Sequence, residues 1–344
     1  MGNVVAIIPA RSGSKSIKDK NIRIMNGKPM LVYTIEQALA SNKIDRVIVS
    51  TDSEKYSLIA KKYGAEVPFL RPDSISTDVS LDIDVFVHAL TWLKEHENYE
   101  VDLCVHLRPT HPIREVADID AMIEKLQNNL NLDSIRSVSP VKQVPYKMWL
   151  FDNENSNVMN PLVKCDIPEA YNAPRQQLPK VYMQNACIDV VRASVILNQH
   201  SMTGHNIGGY IMDYDYDIDT EEEFLLAEQV QLLKQKGNQS LKICCDIDGV
   251  IAAKTIDNNY ALAKPLVQNI DIINTLHKQG HQIVLFTARG YTTGINWRDI
   301  TEKHMKEWGV MYDKLIFGKP DADIYIDDKL MSISQLKNFI KKNI

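Results

Sequence analysis

Short runs of β-branched and aliphatic residues alternate with helix-periodic stretches from the start of the chain, and this alternation restricts the fold more than any other feature. Val4–Ile8 is a continuous apolar strand. Pro29 then opens a helix on which Leu31, Ile35, Ala38 and Leu39 recur at helical spacing. Arg46–Ser50 reads as the next strand, and Tyr56–Tyr63 as a helix stopped by Gly64. Leu81–Leu93, Leu103–Leu107 and Ala117–Leu126 continue as helix, strand and helix. Such alternation predicts an α/β fold, a parallel sheet covered by helices on both faces. Sheets of this kind bind ligands at the carboxyl ends of their strands.

The pattern loosens between about Pro140 and Met183, where Pro and Asn accumulate. An insertion of that length is generally functional, and we read it as an arm that closes a site or pairs with a second subunit. A helix over Leu225–Lys236 leads to the polar break Gly237-Asn-Gln-Ser240. The alternation then restarts with Leu241–Cys245, a helix from about Pro265, Ile283–Phe286, a helix from Trp297, two more strands and a last helix. Two doubly wound, Rossmann-like domains are expected, 1–236 and 241–344.

Composition narrows the partners. Of 344 residues, 39 are Lys or Arg and 44 Asp or Glu, a net charge of −5 that argues against a dedicated nucleic-acid binder. No apolar run approaches the ~18 residues of a membrane span. Met1–Ala10 reads as a buried strand rather than a signal peptide. The five cysteines show no metal-ligand spacing and are expected to be buried thiols. These features suggest a cytoplasmic protein acting on small molecules.

The segment Pro9–Asn21 carries Arg11, Lys15, Lys18 and Lys20 against one Asp19, a local charge of +3 in an acidic chain. It follows a strand, where backbone N–H groups and cations can hold a polyphosphate. It matches neither a Walker loop nor a dinucleotide fingerprint. Ile8-Pro-Ala-Arg-Ser-Gly-Ser-Lys15 with Lys20-Asn21 resembles the nucleotide-binding signature of the acylneuraminate cytidylyltransferases, the CMP-sialic acid synthetases. The likeness continues through Val47-Ile-Val-Ser-Thr-Asp52, Leu70-Arg-Pro-Asp73, Leu107-Arg-Pro-Thr-His-Pro-Ile-Arg114, Pro174-Arg-Gln-Gln-Leu-Pro179 and Asp217-Ile-Asp219-Thr220. The resemblance implies a glycosyltransferase-A-like nucleotidyltransferase domain with a dimerisation arm. The implied reaction transfers CMP from CTP to the anomeric hydroxyl of a nine-carbon 2-keto sugar acid, with Mg²⁺ and release of pyrophosphate.

Met212–Thr220 reads as a strand with Asp213, Asp215, Asp217 and Asp219 on one face. Clustered carboxylates are unfavourable unless solvated or bridged by a cation, and Mg²⁺ commonly takes one or two of them plus substrate phosphates. By resemblance, Asp217 and Asp219 are the ligands. Phosphoryl-type transfer is mainly positioning and charge neutralisation. Arg11 and Lys20 are assigned to the triphosphate, and Asn21, Arg71 and Ser80 to the nucleotide. Arg175, with Gln176 beside it, is the candidate for the acceptor carboxylate. Arg108 departs from the family, which usually has Gln against the sugar acid there; a permanent positive charge suggests a more anionic or differently substituted acceptor. His88, His106 and His111 show no metal spacing and are read as structural.

The C-terminal half carries a second set. Ile243-Cys-Cys-Asp-Ile-Asp-Gly-Val250, Phe286-Thr-Ala-Arg-Gly290, Phe317-Gly-Lys-Pro320 and Ile324-Tyr-Ile-Asp-Asp328 resemble, in this order, the haloacid-dehalogenase (HAD) superfamily of phosphatases. By that resemblance Asp246 is the nucleophile and Asp248 the acid/base. Thr287 and Lys319 hold phosphoryl oxygens, while Asp246, Asp248, Asp327 and Asp328 surround Mg²⁺. Thr287 follows Asp246 by 41 residues, which leaves no room for a cap domain. The leading expectation is a bifunctional enzyme of nonulosonate activation, a homo-oligomer (dimer or tetramer) whose phosphatase acts on a sugar phosphate such as a nonulosonate 9-phosphate. The alternative is a cytidylyltransferase for another anionic acceptor, such as an eight-carbon ulosonate, with the C-terminal domain serving assembly or regulation.

Overall fold

A computed structural model describes residues 2–14, 17–141, 143–153, 157–236, 240–291 and 293–319. The chain divides into two compact units, Met1–Glu228 and a second beginning at Gln229. The division falls inside a helix, Glu221–Lys236, a few residues ahead of the polar break at Gly237.

In the first unit, β1 (Val4–Pro9), α1 (Met30–Leu39), β2 (Arg46–Ser50), α2 (Glu54–Lys62), α3 (Asp82–Glu97), β3 (Leu103–Leu107) and α4 (Val116–Gln127) follow the alternation read from the sequence. Pro29 caps α1 rather than opening it. Beyond them come β4 (Ser134–Pro140), a small antiparallel hairpin of β5 (Trp149–Phe151) and β6 (Met159–Pro161), β7 (Tyr182–Arg192), α5 (Ala193–Gln199), β8 (Ile207–Ile211) and α6 (Glu221–Lys236). The main sheet runs β8-β4-β7-β3-β1-β2. β1 pairs in parallel with both β2 and β3, and β8 pairs in parallel with β4. β7 is antiparallel to β3 and to β4, so the sheet is mixed and not the parallel one expected.

β1 explains why the sheet carries helices on both sides. Val4, Ala6 and Ile8 enter one apolar layer with Leu31, Ile35, Ile119 and Ile123 of α1 and α4. Val5 and Ile7 enter the opposite layer with Phe86 and Leu90 of α3 and Ile196 of α5. A strand buried on both faces must be apolar throughout, hence the uninterrupted run VVAII.

β7 was hidden from the sequence reading because it is irregular. Asp189 stands opposite Arg136 and Gln184 opposite Val138, so four residues of β7 face the single Ser137 of β4. Asn185 and Ser137 fill this bulge. Asn185 Oδ1 accepts from the Cys187 N–H at 3.2 Å, and Ser137 Oγ accepts from the Ile188 N–H at 2.9 Å. Ala186 sits at φ 56°, in the left-handed region that disfavours a Cβ.

The second unit holds a three-stranded parallel sheet among its described residues, β9 (Lys242–Asp246), β10 (Gln282–Thr287) and β11 (Lys314–Phe317) in that order. α7 (Val267–Lys278) packs Ile270, Ile273 and Leu276 against Ile283 and Leu285, with Met305 of α8 (Arg298–Glu307) in the same layer. The further strand and last helix expected from the sequence lie outside the described residues. Cys104, Cys187 and Cys245 are buried as expected, whereas Cys165 and Cys244 are exposed. No helix of the described residues is long and apolar enough to cross a membrane.

Ala186→Gly relieves the left-handed conformation and loses one half-buried methyl group. It should stabilise the first unit by about 0.5–1 kcal/mol, measured by urea denaturation; a loss of stability contradicts the strain argument.

Candidate functional site

The carboxyl ends of β1 and β3 open into a cleft of about 570 Å³. Its first wall is the loop after β1, pinned by a carboxylate from the neighbouring strand. Asp52 accepts from the Ser12 N–H and from the Ser12 hydroxyl, both at 2.7 Å. This holds Arg11 at the cleft, where its guanidinium pairs with Asp78 at 2.7 Å. Lys20 is buried and donates to the Ile218 carbonyl at 2.7 Å and to Asp219 Oδ1 at 3.1 Å. Asn21 donates to the Arg11 carbonyl at 3.1 Å. Arg71 is buried, and its Nε and Nη2 have no hydrogen-bond partner among the described residues. Burial lowers its pKa from the usual guanidinium value, opposed by Asp52 and Asp82. Ser80 lines the same cleft, with Oγ accepting from the Thr77 N–H at 2.9 Å. Arg11, Lys20, Asn21, Arg71 and Ser80 are thus brought together, with Asp219 beside them. Lys15 lies outside the described residues.

The other end of the cleft lies at the carboxyl end of β3. Arg108 lines it, but its charge is already matched. It meets Asp189 at 3.0 Å, Asp82 at 3.1 Å and the carbonyl of the left-handed Ala186 at 2.9 Å. The positive charge from which a more anionic or differently substituted acceptor is expected is thus paired within the protein. His106, read as structural, lines the cleft two residues before it. Arg175 and Gln176 do not line it; they stand on an exposed 3-10 turn of the arm, where Arg175 donates to the Val141 carbonyl at 2.7 Å.

Met212–Thr220 is not a strand, since β8 ends at Ile211. Alternation survives because Met212 and Ile218 are buried, and the Ile218 N–H donates to the Thr110 carbonyl at 3.1 Å. Asp217 and Asp219 therefore flank a fixed point. His111, buried, stands 3.5 Å from Asp217 and 3.7 Å from Asp215. Among the described residues no cluster of three His, Cys, Asp or Glu side chains could hold a metal. Two hard carboxylates fit a Mg²⁺ that draws its remaining ligands from water and phosphate. They do not make a closed resident site.

In the second unit the sequence-predicted residues gather at the strand ends. Lys319 pairs with Asp246 at 2.7 Å and its N–H reaches the Thr287 carbonyl at 3.1 Å. Asp246 is further fixed by the Ile247 N–H at 2.8 Å. Asp248 is held bidentately by Arg289, at 2.8 and 2.7 Å. Arg289 is buried, donates to Thr301 Oγ1 at 3.1 Å and lies 4.7 Å from the Tyr260 ring centroid. The turn it occupies requires Gly290, where φ is 81° and an added Cβ would stand 2.1 Å from the Ile295 carbonyl oxygen. Burial pushes the neighbouring Cys245 thiol up to about 12, so it stays protonated near neutrality. Asp327 and Asp328 lie outside the described residues. Sequence reasoning missed Arg289 although it stands inside a quoted motif, and missed Asp52 as the anchor of the first loop.

Comparison with known proteins bears on the first unit. Residues 5–239 match the family described as Cytidylyltransferase. Over 242 residues the chain is 33% identical to the post-translational flagellin modification protein B of Campylobacter coli, covering 70% of this chain and 99% of that one. It is 33% identical over 236 residues to the CMP-N,N'-diacetyllegionaminic acid synthase of Campylobacter jejuni, covering 68% of this chain and 97% of that protein. The solved structure of a CMP:2-keto-3-deoxy-manno-octonic acid synthetase complexed with CTP shares the fold, with a TM-score of 0.51 at 18% identity, over 68% of this chain and 99% of its own. A cleft at the strand ends that gathers Arg11, Arg71, a buried Lys20 and Asp219, and a match that spans residues 5–239, make this chain a member of the cytidylyltransferase family.

Proposed function

We propose that the first unit transfers CMP from CTP to the anomeric hydroxyl of a nonulosonic 2-keto sugar acid, releasing pyrophosphate. The observation that carries this reading is the convergence of Arg11, Lys20, Asn21, Arg71, Ser80 and Asp219 in one cleft at the strand ends. The name of the Campylobacter jejuni relative, a CMP-sugar acid synthase, supports the same acceptor class. Arg11 and Lys20 receive the triphosphate, which then takes the place of Asp78 as the partner of Arg11. Arg71 supplies unpaired guanidinium donors to the nucleotide. Asp217 and Asp219 would hold Mg²⁺, which neutralises charge at the α-phosphate. CTP as the donor substrate points to the cytoplasm.

The arm supports an oligomer. Met148, Trp149, Leu150 and Phe151 are all exposed, an apolar run that a monomer would leave in water. Arg175 sits on the same arm, and a dimer or tetramer would let it meet an acceptor carboxylate in another copy. For the second unit we propose a HAD-type phosphatase acting on a sugar phosphate. Asp246 attacks phosphorus, and the leaving sugar oxygen takes a proton from Asp248. Water then hydrolyses the aspartyl-phosphate. Lys319 and Thr287 hold the phosphoryl oxygens; Asp246, with Asp327 and Asp328, would hold a Mg²⁺ that supplies charge neutralisation. Arg289 must yield Asp248 for the proton to move.

Pyrophosphate release from CTP and Mg²⁺ should occur with N,N'-diacetyllegionaminic acid or N-acetylneuraminic acid; no release with any nonulosonate overturns the transferase assignment. Asp246→Asn should abolish phosphate release from N-acetylneuraminate 9-phosphate and leave pyrophosphate release intact. A wild-type protein inert toward that substrate and toward p-nitrophenyl phosphate makes the second unit an assembly module. Sedimentation should give the mass of a dimer or tetramer, and a sharp monomer refutes the role given to the arm.

A further inference from the structure

At the β3 end of the cleft, His106 begins a row of polar side chains that crosses the sheet and is only partly satisfied within it. His106, Asp189 and Arg136 are cross-strand partners on β3, β7 and β4, side by side across three adjacent strands. They stand on the face that otherwise holds Ile7, Cys104, Val191 and Phe86. His106 is 0% and Asp189 2% exposed. Both ring nitrogens of His106, Nε of Arg136 and Oδ1 of Asp189 have no hydrogen-bond partner among the described residues. The nearest opposite charges are loose, Asp82 at 3.9 Å from His106 and Asp189 at 3.5 Å from Arg136 Nε. A buried polar group left unpaired costs about 1–3 kcal/mol, so such a row persists where something else occupies it.

The charges in the row cancel. Arg108 and Arg136 are matched by Asp82 and Asp189, and burial, with Arg108, Arg136 and Arg114 nearby, holds the His106 pKa well below its usual value. His106 is then a neutral imidazole, one nitrogen donating and the other accepting. That chemistry suits a hydroxyl or an amide and offers nothing to an additional anion.

We propose that His106 is a specificity-determining residue that reads a neutral hydroxyl or acylamino substituent of the acceptor, with Arg108 and Asp82 as the adjoining wall. The inference rests on the transferase reading and deepens it: the acceptor carries one carboxylate and neutral polar substituents, not a second anionic group. The row places the acceptor at the end of the cleft formed by His106 and Arg108, apart from Arg11 in the loop after β1.

The test uses the full chain with CTP and Mg²⁺, and N,N'-diacetyllegionaminic acid, N-acetylneuraminic acid, N-acetylneuraminate 9-phosphate and 2-keto-3-deoxy-manno-octonic acid as acceptors. His106→Leu should raise the acceptor KM roughly tenfold, the loss of one or two hydrogen bonds, with the CTP KM unchanged. His106→Gln, which keeps a donor and an acceptor, should recover most of the loss. The Leu variant should also melt at or above the wild-type temperature, because it removes unpaired buried nitrogens. The 9-phosphate should be the poorer acceptor than its unphosphorylated parent. An unchanged acceptor KM with a lowered melting temperature shows a structural histidine and overturns the inference. So does a CTP KM that rises in step with the acceptor KM, or a preference for the phosphorylated acid. Failure of the transferase reading has a different signature, no wild-type pyrophosphate release with any of the four acids.

Discussion

The cleft of the first unit depends on β1 being paired in parallel on both sides, with β2 and with β3. Parallel pairing puts the carboxyl ends of all three strands along one line, so β1 and β3 hand their next residues to the cleft while the residue after β2 holds the β1 loop. Arg11 follows β1, Asp52 follows β2 and Arg108 follows β3. Backbone amides also come free at these ends, which is why a loop there needs a carboxylate such as Asp52 to hold it. The ladder itself is held by the two apolar layers that flank β1, so stability and the site's geometry share one cause.

The same logic governs the second unit on a smaller scale. β9, β10 and β11 run parallel, and Asp246, Thr287 and Lys319 leave them at one edge. Here the acids arrive already paired, Asp246 with Lys319 and Asp248 with Arg289. A buried ion pair is a poor source of stability, since desolvation offsets most of the attraction, but it fixes orientation strongly. Arg289, stacked near Tyr260 and bonded to Thr301, gives Asp248 one defined position.

Legibility in the sequence followed the range of the interactions. Arg46–Ser50 and Leu103–Leu107 were placed to the residue because a strand buried on both faces carries consecutive apolar residues, here Val47–Val49 and Leu103–Val105. β7 was not, because its bulge interrupts the alternation and its partners lie about fifty and about eighty-five residues back. Arg11, Lys20, Asn21 and Arg71 were recognisable from local motifs, and all four line the cleft. The state of Arg108 was not, because its neutralising acids, Asp82 and Asp189, are remote in sequence and adjacent through the fold. His106 looked like an ordinary core position for a related reason: nothing near it in sequence shows that its nitrogens stay unpaired.

The bulge in β7 has a consequence for how this strand can change. Gln184 and Asp189 are five residues apart, an odd spacing that would turn them to opposite faces of a regular strand. The bulge brings both to Arg136, which donates to Gln184 at 2.6 Å and stands 3.5 Å from Asp189. The parity of the strand is thus reset at Ala186. One residue more or fewer between Gln184 and Asp189 would leave every downstream pair intact yet turn the arm-proximal half of the strand over. The length of this short segment is therefore under tighter constraint than its composition, and drift here is confined to substitution.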